Sequence, residues 1–229
     1  MNYQWLKTDV ETPIVELRRY RLHPGRRDSL IDLFEERFIE PQEAVGAKVL
    51  GTFRADADPD AFVWLRGFTH MSARKAALEA FYDGPTWQAH CDAANATMID
   101  SDDVHLLRAI APDGGLPAYA RLPRLGERST ATRYTLLLSE LRYSEWVGQY
   151  HLWLRLFLRK AGADPVASFA TLPAENTFRR LPVWTNRHVH LAVLKSAAPI
   201  PRLPVELRTM LKSEPERIVV SPTARSRLR

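Results

Sequence analysis

Apolar and polar residues alternate through residues 14–22, Ile-Val-Glu-Leu-Arg-Arg-Tyr-Arg-Leu, a period of two that predicts a β-strand. His23-Pro24-Gly25 stops the alternation, and Leu30, Leu33, Phe34 and Phe38 then recur at helical spacing, predicting an amphipathic helix that ends near Glu40, ahead of Pro41. Residues 48–54 and 62–68 are two short apolar stretches around Asp56-Ala57-Asp58-Pro59-Asp60, a turn-forming connector, and read as a hairpin. A helical pattern starts near Ser72, breaks at Asp83-Gly84-Pro85 and resumes with Trp87, Cys91, Ala94 and Met98 on one face; residues 104–110 then read as a strand. The order βαββαβ is the ferredoxin-like plan, an antiparallel sheet with helices on one side.

The plan restarts further on. Residues 132–139 predict a strand, 143–160 a helix closed by Gly162, 166–171 and 188–195 two strands, 204–212 a short helix and 217–221 a last strand. Between the two runs, Gly114, Gly115, Pro117, Pro123 and Gly126 give a linker composition. The expected organisation is therefore a first unit over 13–111, a linker over 112–130 and a second unit over 131–229. An offset of 114 residues aligns Arg19-Tyr20 with Arg133-Tyr134, Leu22 with Leu136, and Val104 and Leu106 with Ile218 and Val220, which suggests an internal duplication.

Composition narrows the class. With 229 residues, 45% of them hydrophobic and 26% charged, the chain is globular rather than disordered. Its net charge of +5 is spread over scattered arginines and accompanies no zinc-finger, helix-turn-helix or RNA-recognition pattern, so no nucleic-acid partner is expected. No run is long enough to span a bilayer, and Met1-Asn2-Tyr3-Gln4 lacks the build of a signal peptide, so a cytoplasmic location is expected. The single cysteine, Cys91, excludes an intrachain disulfide, and its helix face reads as core. Phosphate-loop, nucleophile-elbow and zinc-protease motifs are missing, and the expectation is no cofactor and no metal.

Several ordered segments together resemble the NIPSNAP family: Val15-Glu16-Leu17-Arg18-Arg19-Tyr20 with Pro24-Gly25, Gly46-Ala47-Lys48-Val49-Leu50-Gly51-Thr52-Phe53, and Val63-Trp64-Leu65-Arg66-Gly67-Phe68. Gly84-Pro85-Thr86-Trp87 and the closing Ser221-Pro222-Thr223-Ala224-Arg225-Ser226 add to the set, while Arg19 stands where the family commonly has threonine. The resemblance implies the dimeric α+β barrel superfamily, in which two ferredoxin-like sheets face one another, both here supplied by one chain. It implies no settled reaction.

Strand parity then proposes a site. Glu16, Arg18 and Tyr20 share one face of the first strand, and Phe62, Trp64, Arg66 and Phe68 one face of the third. Within the implied barrel these faces are assigned to the interior, where Glu16, Arg18, Tyr20, Trp64 and Arg66 would bind a small, partly apolar or aromatic ligand. The competing reading of the first trio, which the residues favour, is a structural Glu16–Arg18 ion pair capped by Tyr20. His188 and His190 project from one strand face but lack a third metal ligand at motif spacing; His70 and His105 complete the candidate ligand-binding set. The aromatic residues Trp146, Tyr150, Trp153 and Phe157 on the second-unit helix suit core packing, a pocket lid or a homo-oligomer contact. Two other functions stay open: a cofactor-independent monooxygenase or isomerase acting on a phenolic or quinol-like substrate, and a protein-interaction module.

Overall fold

The computed structural model describes residues 11–110, 114–116, 132–196 and 199–228. Eight antiparallel strands close into one barrel in the order β1-β3-β2-β8-β5-β7-β6-β4. The first four are β1 (Ile14–Leu22), β2 (Lys48–Ala55), β3 (Ala61–Phe68) and β4 (Met98–Ala109). The others are β5 (Tyr134–Glu140), β6 (Pro165–Thr171), β7 (Val189–Leu194) and β8 (Glu216–Pro222). Each half has the ferredoxin-like order, β4-β1-β3-β2 and β8-β5-β7-β6, and the halves are joined by the β2–β8 and β4–β6 pairings. The fold is the intrachain α+β barrel that the sequence implies. The segment expected as a linker lies almost wholly outside the described residues.

Helices α1 (Arg27–Leu33), α2 (Ile39–Ala44), α3 (Met71–Tyr82) and α4 (Pro85–Asn95) cover the first half, and α5 (Val147–Lys160) and α6 (Val205–Thr209) the second. The first helix does not end before Pro41. A π-helical segment over Phe34–Phe38 joins α1 to α2, and Pro41 falls in the first turn of α2, where a missing N–H is tolerated. Met98 belongs to β4 rather than to the helix before it, and Cys91 is half-buried on α4 rather than a core residue, since Ala94 is the buried position of that helix.

Three apolar clusters result. Val15, Leu17, Val63, Leu65, Leu136, Phe169, Leu191 and Val193 fill the barrel lumen, as side chains can in an eight-stranded barrel. Phe34, Phe38, Phe62, Trp64, Phe81 and Leu106 pack between the first sheet and its helices, and Tyr150, Leu154, Leu158, Ala192 and Leu207 do so in the second half. The 114-residue offset does not survive this partition. Tyr20, Leu22 and Leu106 face the helices, whereas Tyr134, Leu136 and Val220 face the lumen, so the aligned identities fall on opposite faces of equivalent strands.

Two segments tie the halves together. The connection from residue 172 to 188, between β6 and β7, crosses onto the first half and inserts Phe178 into its helix-side cluster. The chain after β8 returns to the first half as well: Thr223 Oγ1 lies 2.6 Å from Thr52 Oγ1, Arg225 pairs with Glu40, Arg227 Nη2 lies 3.1 Å from Glu43, and Leu228 enters the lumen cluster.

Candidate functional site

Val15 and Leu17 occupy the lumen, so the opposite face of β1, bearing Glu16, Arg18 and Tyr20, lies under the helices. The expected barrel-interior site is thereby corrected. Parity separates the two residue sets, but the faces are the reverse of the expectation: apolar sets from both halves fill the lumen against each other, and the charged set is sealed by the first-half helices. Glu16, Arg18, Tyr20, Trp64 and Arg66 nevertheless converge. Glu16 pairs with Arg66 and Arg18 with Trp64 across the β1–β3 ladder, which brings side chains of one face together.

One carboxylate here meets three guanidiniums. Glu16 Oε2 accepts from Arg66 Nη2 at 2.6 Å, Arg66 Nε at 3.1 Å and Arg18 Nη1 at 3.0 Å, and Glu16 Oε1 accepts from Arg74 Nε at 2.6 Å. Arg18 Nε also donates to the Tyr20 hydroxyl at 3.0 Å, which is the ion pair capped by tyrosine that the first strand suggested. All four charged side chains are at most 1% exposed. Burial alone would raise the Glu16 pKa, but Arg66, Arg18 and Arg74 outweigh it and hold the carboxyl well below the ordinary range. Burial likewise opposes the charge of Arg18, yet Tyr20 and Glu16 keep it a guanidinium, while burial pushes the Tyr20 phenol up so that it stays protonated.

An aromatic wall stands beside these charges. The Trp64 ring lies 5.5 Å from the Arg18 guanidinium carbon and 5.0 Å from that of Arg66, and meets Phe34 edge-on at 4.8 Å. A cavity of about 30 Å³, bounded by Tyr20, Gln42, Trp64, Phe81, Tyr82 and Trp87 among others, separates sheet from helices. It has room for about one water, and anything larger requires the surrounding side chains to move. Beside the cavity, the 172–188 connection lies over Arg74 and Tyr82: Asn176 Oδ1 and Thr177 Oγ1 accept from Arg74 Nη1 at 3.2 and 3.4 Å, Phe178 stacks on Tyr82 at 5.7 Å, and Arg180 pairs with Asp83. Within this site two buried donors, Trp64 Nε1 and Arg74 Nη2, have no acceptor among the described residues.

The four candidate histidines lie elsewhere. His70 caps α3, its Nδ1 accepting from the Ala73 amide at 3.0 Å. His105 lies on the lumen face of β4 near one barrel mouth, 3.6 Å from Asp103; burial, opposed by Asp103 but aided by Arg19 and Arg187, lowers its pKa to about 4. Above it Arg19 bridges Asp103 at 2.7 Å and Glu216 at 2.6 Å, at a cleft of about 430 Å³. His188 lines a separate cleft of about 310 Å³ with Arg108, Ser144 and Thr171. His190 packs under α5, its Nε2 lying 3.0 Å from His151 Nδ1, and burial together with His151 pushes its pKa well down. Among the described residues no three metal-ligating side chains converge, so this histidine pair has no third ligand.

Arg74, Gln42 and Asn176 belong to the site and lie outside the sequence expectation. Arg74 had a signal: it precedes Ala77, Leu78 and Phe81 on one apolar helical stripe, an unusual place for a charge. Asn176 had none, since its role depends on a non-local crossing.

Comparison with known proteins agrees with this fold. The NIPSNAP family profile matches residues 15–112. This part of the chain is similar to the NIPSNAP domain, within a chain whose two halves build one α+β barrel. A solved structure of a candidate monooxygenase from Lactobacillus acidophilus NCFM is similar over 93% of this chain and 94% of its own, with 13% identity and a TM-score of 0.54. A second candidate monooxygenase, from Fusobacterium nucleatum subsp. nucleatum, is similar over 93% of each chain, with 9% identity and a TM-score of 0.55. An uncharacterised NIPSNAP-like domain protein from Burkholderia xenovorans shares 24% identity over 45% of this chain and 90% of its own, with a TM-score of 0.42. Among curated proteins none matches significantly. No described helix is long and apolar enough to cross a membrane.

Proposed function

We propose that this protein binds a small, partly aromatic molecule between the first-half sheet and its helices, with Trp64 and Tyr20 as the wall and Arg18 and Arg66 fixing orientation. The observation that carries the reading is a buried group of charges packed edge to edge with an aromatic cavity and covered by a segment from the other half of the chain. A stable interior would bury apolar residues here at lower cost, since a buried ion pair is weak evidence for stability and polar groups in a closed site fix the orientation of what enters. A thermal-shift screen of aromatic small molecules tests it. Compounds that raise the melting temperature should lose at least tenfold in affinity in Trp64→Ala, and affinities that Trp64→Ala leaves unchanged contradict the assignment.

The fold likeness to two candidate monooxygenases supports a second reading, oxidation of a phenolic substrate without a cofactor. One oxygen atom of O₂ would enter the ring of a hydroquinone and the other leave as water with two hydrogens from the substrate, which supplies all four electrons and leaves as a hydroxyquinone. Oxygen uptake that depends on an added hydroquinone and disappears in Tyr20→Phe would favour it; uptake equal in both proteins would reject Tyr20's part.

A homo-oligomer belongs to the same proposal. Leu152, Trp153 and Leu156 on the outer side of α5 are 54, 42 and 57% exposed, more apolar surface than one helix usually leaves to water. Light scattering should show a multimer that Leu156→Glu reduces to a monomer; a wild-type monomer contradicts it.

A further inference from the structure

We infer that the ligand of the helix-side site is an aromatic carboxylate, its carboxylate held by Arg74 beneath the 172–188 connection. This rests on the binding reading above and adds the class of ligand.

Charge is the first ground. Glu16 is the one carboxylate among the buried described residues, and Arg18, Arg66 and Arg74 surround it, so the cluster carries two more buried positive charges than negative ones. Guanidinium does not lose its proton inside proteins, so the group cannot neutralise itself. An anion is the remaining means of compensation.

Donor geometry is the second ground. Arg66 has all three nitrogens engaged, two on Glu16 and one on Gln42 Oε1 at 2.9 Å. Arg74 differs: its Nε is committed to Glu16, its Nη1 has only the neutral Asn176 and Thr177 oxygens at 3.2 and 3.4 Å, and its Nη2 has none among the described residues. The Nη1–Nη2 edge is thus an under-used pair of parallel donors, the arrangement that a carboxylate meets with both oxygens. Asn176 and Thr177 act as weak substitutes that an anion would displace.

Shape is the third. Tyr82 lies between Phe178, at 5.7 Å, and Trp87, at 4.8 Å, and the unpartnered Trp64 N–H belongs to the same cavity wall. Flat rings on this side favour a planar aromatic body over an aliphatic one. The covering connection runs from residue 172 to 188 without helix or strand, beyond the roughly 12–15 residues at which structureless loops become uncommon and are often lids. Leu172 and Trp184 are fixed to β4 by backbone bonds to Leu106 and Val104, and the stretch between them, which meets the first half through Phe178, Leu181, Val183 and the contacts to Arg74 and Asp83, is the part that would lift while the barrel stays closed. The larger cleft at the barrel mouth makes no such demand, because Arg19 there already pairs with both Asp103 and Glu216.

The test compares benzoate with benzamide, the same shape without the charge, by titration of tryptophan fluorescence and by melting temperature. Expected is at least tenfold tighter binding of benzoate, abolished in Arg74→Met, with Arg74→Met itself melting no lower than wild type because the excess charge falls. Equal binding of benzoate and benzamide overturns the carboxylate and leaves the pocket standing; binding of neither overturns both. If Arg74→Met fails to fold, the excess-charge argument is wrong for that residue, and the wild-type preference, with faster benzoate association in Phe178→Ala, decides between a carboxylate under the cover and none. Unchanged association in Phe178→Ala removes the cover from the proposal.

Discussion

Glu16 is fully buried and is the one buried acid among the described residues to share its three guanidiniums, so removing its charge leaves three like charges facing each other out of bulk solvent. Glu16→Gln should therefore cost about 3–5 kcal/mol of unfolding free energy, measured by urea denaturation, whereas Tyr20→Phe, which loses one hydrogen bond from Arg18, should cost about 1 kcal/mol. A Glu16→Gln loss under 1 kcal/mol would mean that the cluster is hydrated in solution. The buried histidines set the pH response. His105, at about 4, and His190, further below its ordinary value, bind protons less readily folded than unfolded, so their contribution is complete above about pH 6.5 and is lost as pH falls towards 4. For His105 this is on the order of 3 kcal/mol. Glu16 acts in the same direction at lower pH, its contribution being present above the usual glutamate range and lost as pH falls below it. Denaturation midpoints should fall steadily from pH 6.5 to 4, and His105→Gln should flatten that slope; a flat wild-type profile would place both rings in contact with water. At this scale the sequence was informative about partners and silent about direction. Alternation grouped Glu16, Arg18 and Tyr20 and, separately, Val15 and Leu17, but a period of two has no sign, and which face meets the helices depends on the other half of the chain.

Elements were legible wherever the pattern was local. Seven strands lie close to their expected positions, because each combines alternation with a turn signal at its ends, whereas β4 starts at Met98 rather than at residue 104, Met98 having read as part of the preceding helix. Pro41 misplaced a boundary, since a proline in the first turn after a π-helical segment does not stop the chain. The connection from 172 to 188 reads as irregular sequence, and only its crossing to the first half gives it a role. Phe178 anchors it in the first-half core. Phe178→Ala should leave the barrel folded, with far-ultraviolet circular dichroism unchanged, and make proteolysis within this connection at least tenfold faster than in wild type. Unchanged proteolysis would show that its polar contacts suffice to hold it. Gly51 in β2 is constrained in a different way: a Cβ there would lie 2.5 Å from the Phe53 ring, so Gly51→Ala should destabilise the protein through overpacking by about 1–3 kcal/mol.

Across the whole molecule, the halves share a barrel wall, a crossing connection and a returning C-terminal segment, so they should unfold together. Arg225 and Arg227 on that segment reach Glu40 and Glu43 on α2, and Arg19 on β1 reaches Glu216 on β8. The ferredoxin-like repeat was visible in the order of predicted elements, while the residue offset that seemed to measure it was out of phase with the faces of the strands. Repetition of architecture outlasts identity here, because each half has placed different chemistry under its helices: arginines and a glutamate in one, a histidine pair in the other.

The most direct measurement of where a ligand sits is a crystal structure of the protein soaked in 4-bromobenzoate, whose bromine marks its own position by anomalous scattering. Expected is a peak between the first-half sheet and its helices, beside Trp64 and Tyr82, with the carboxylate on Arg74 and the 172–188 connection displaced. A peak in the barrel lumen or at the Arg19 mouth, with the helix-side cavity still closed, would contradict it.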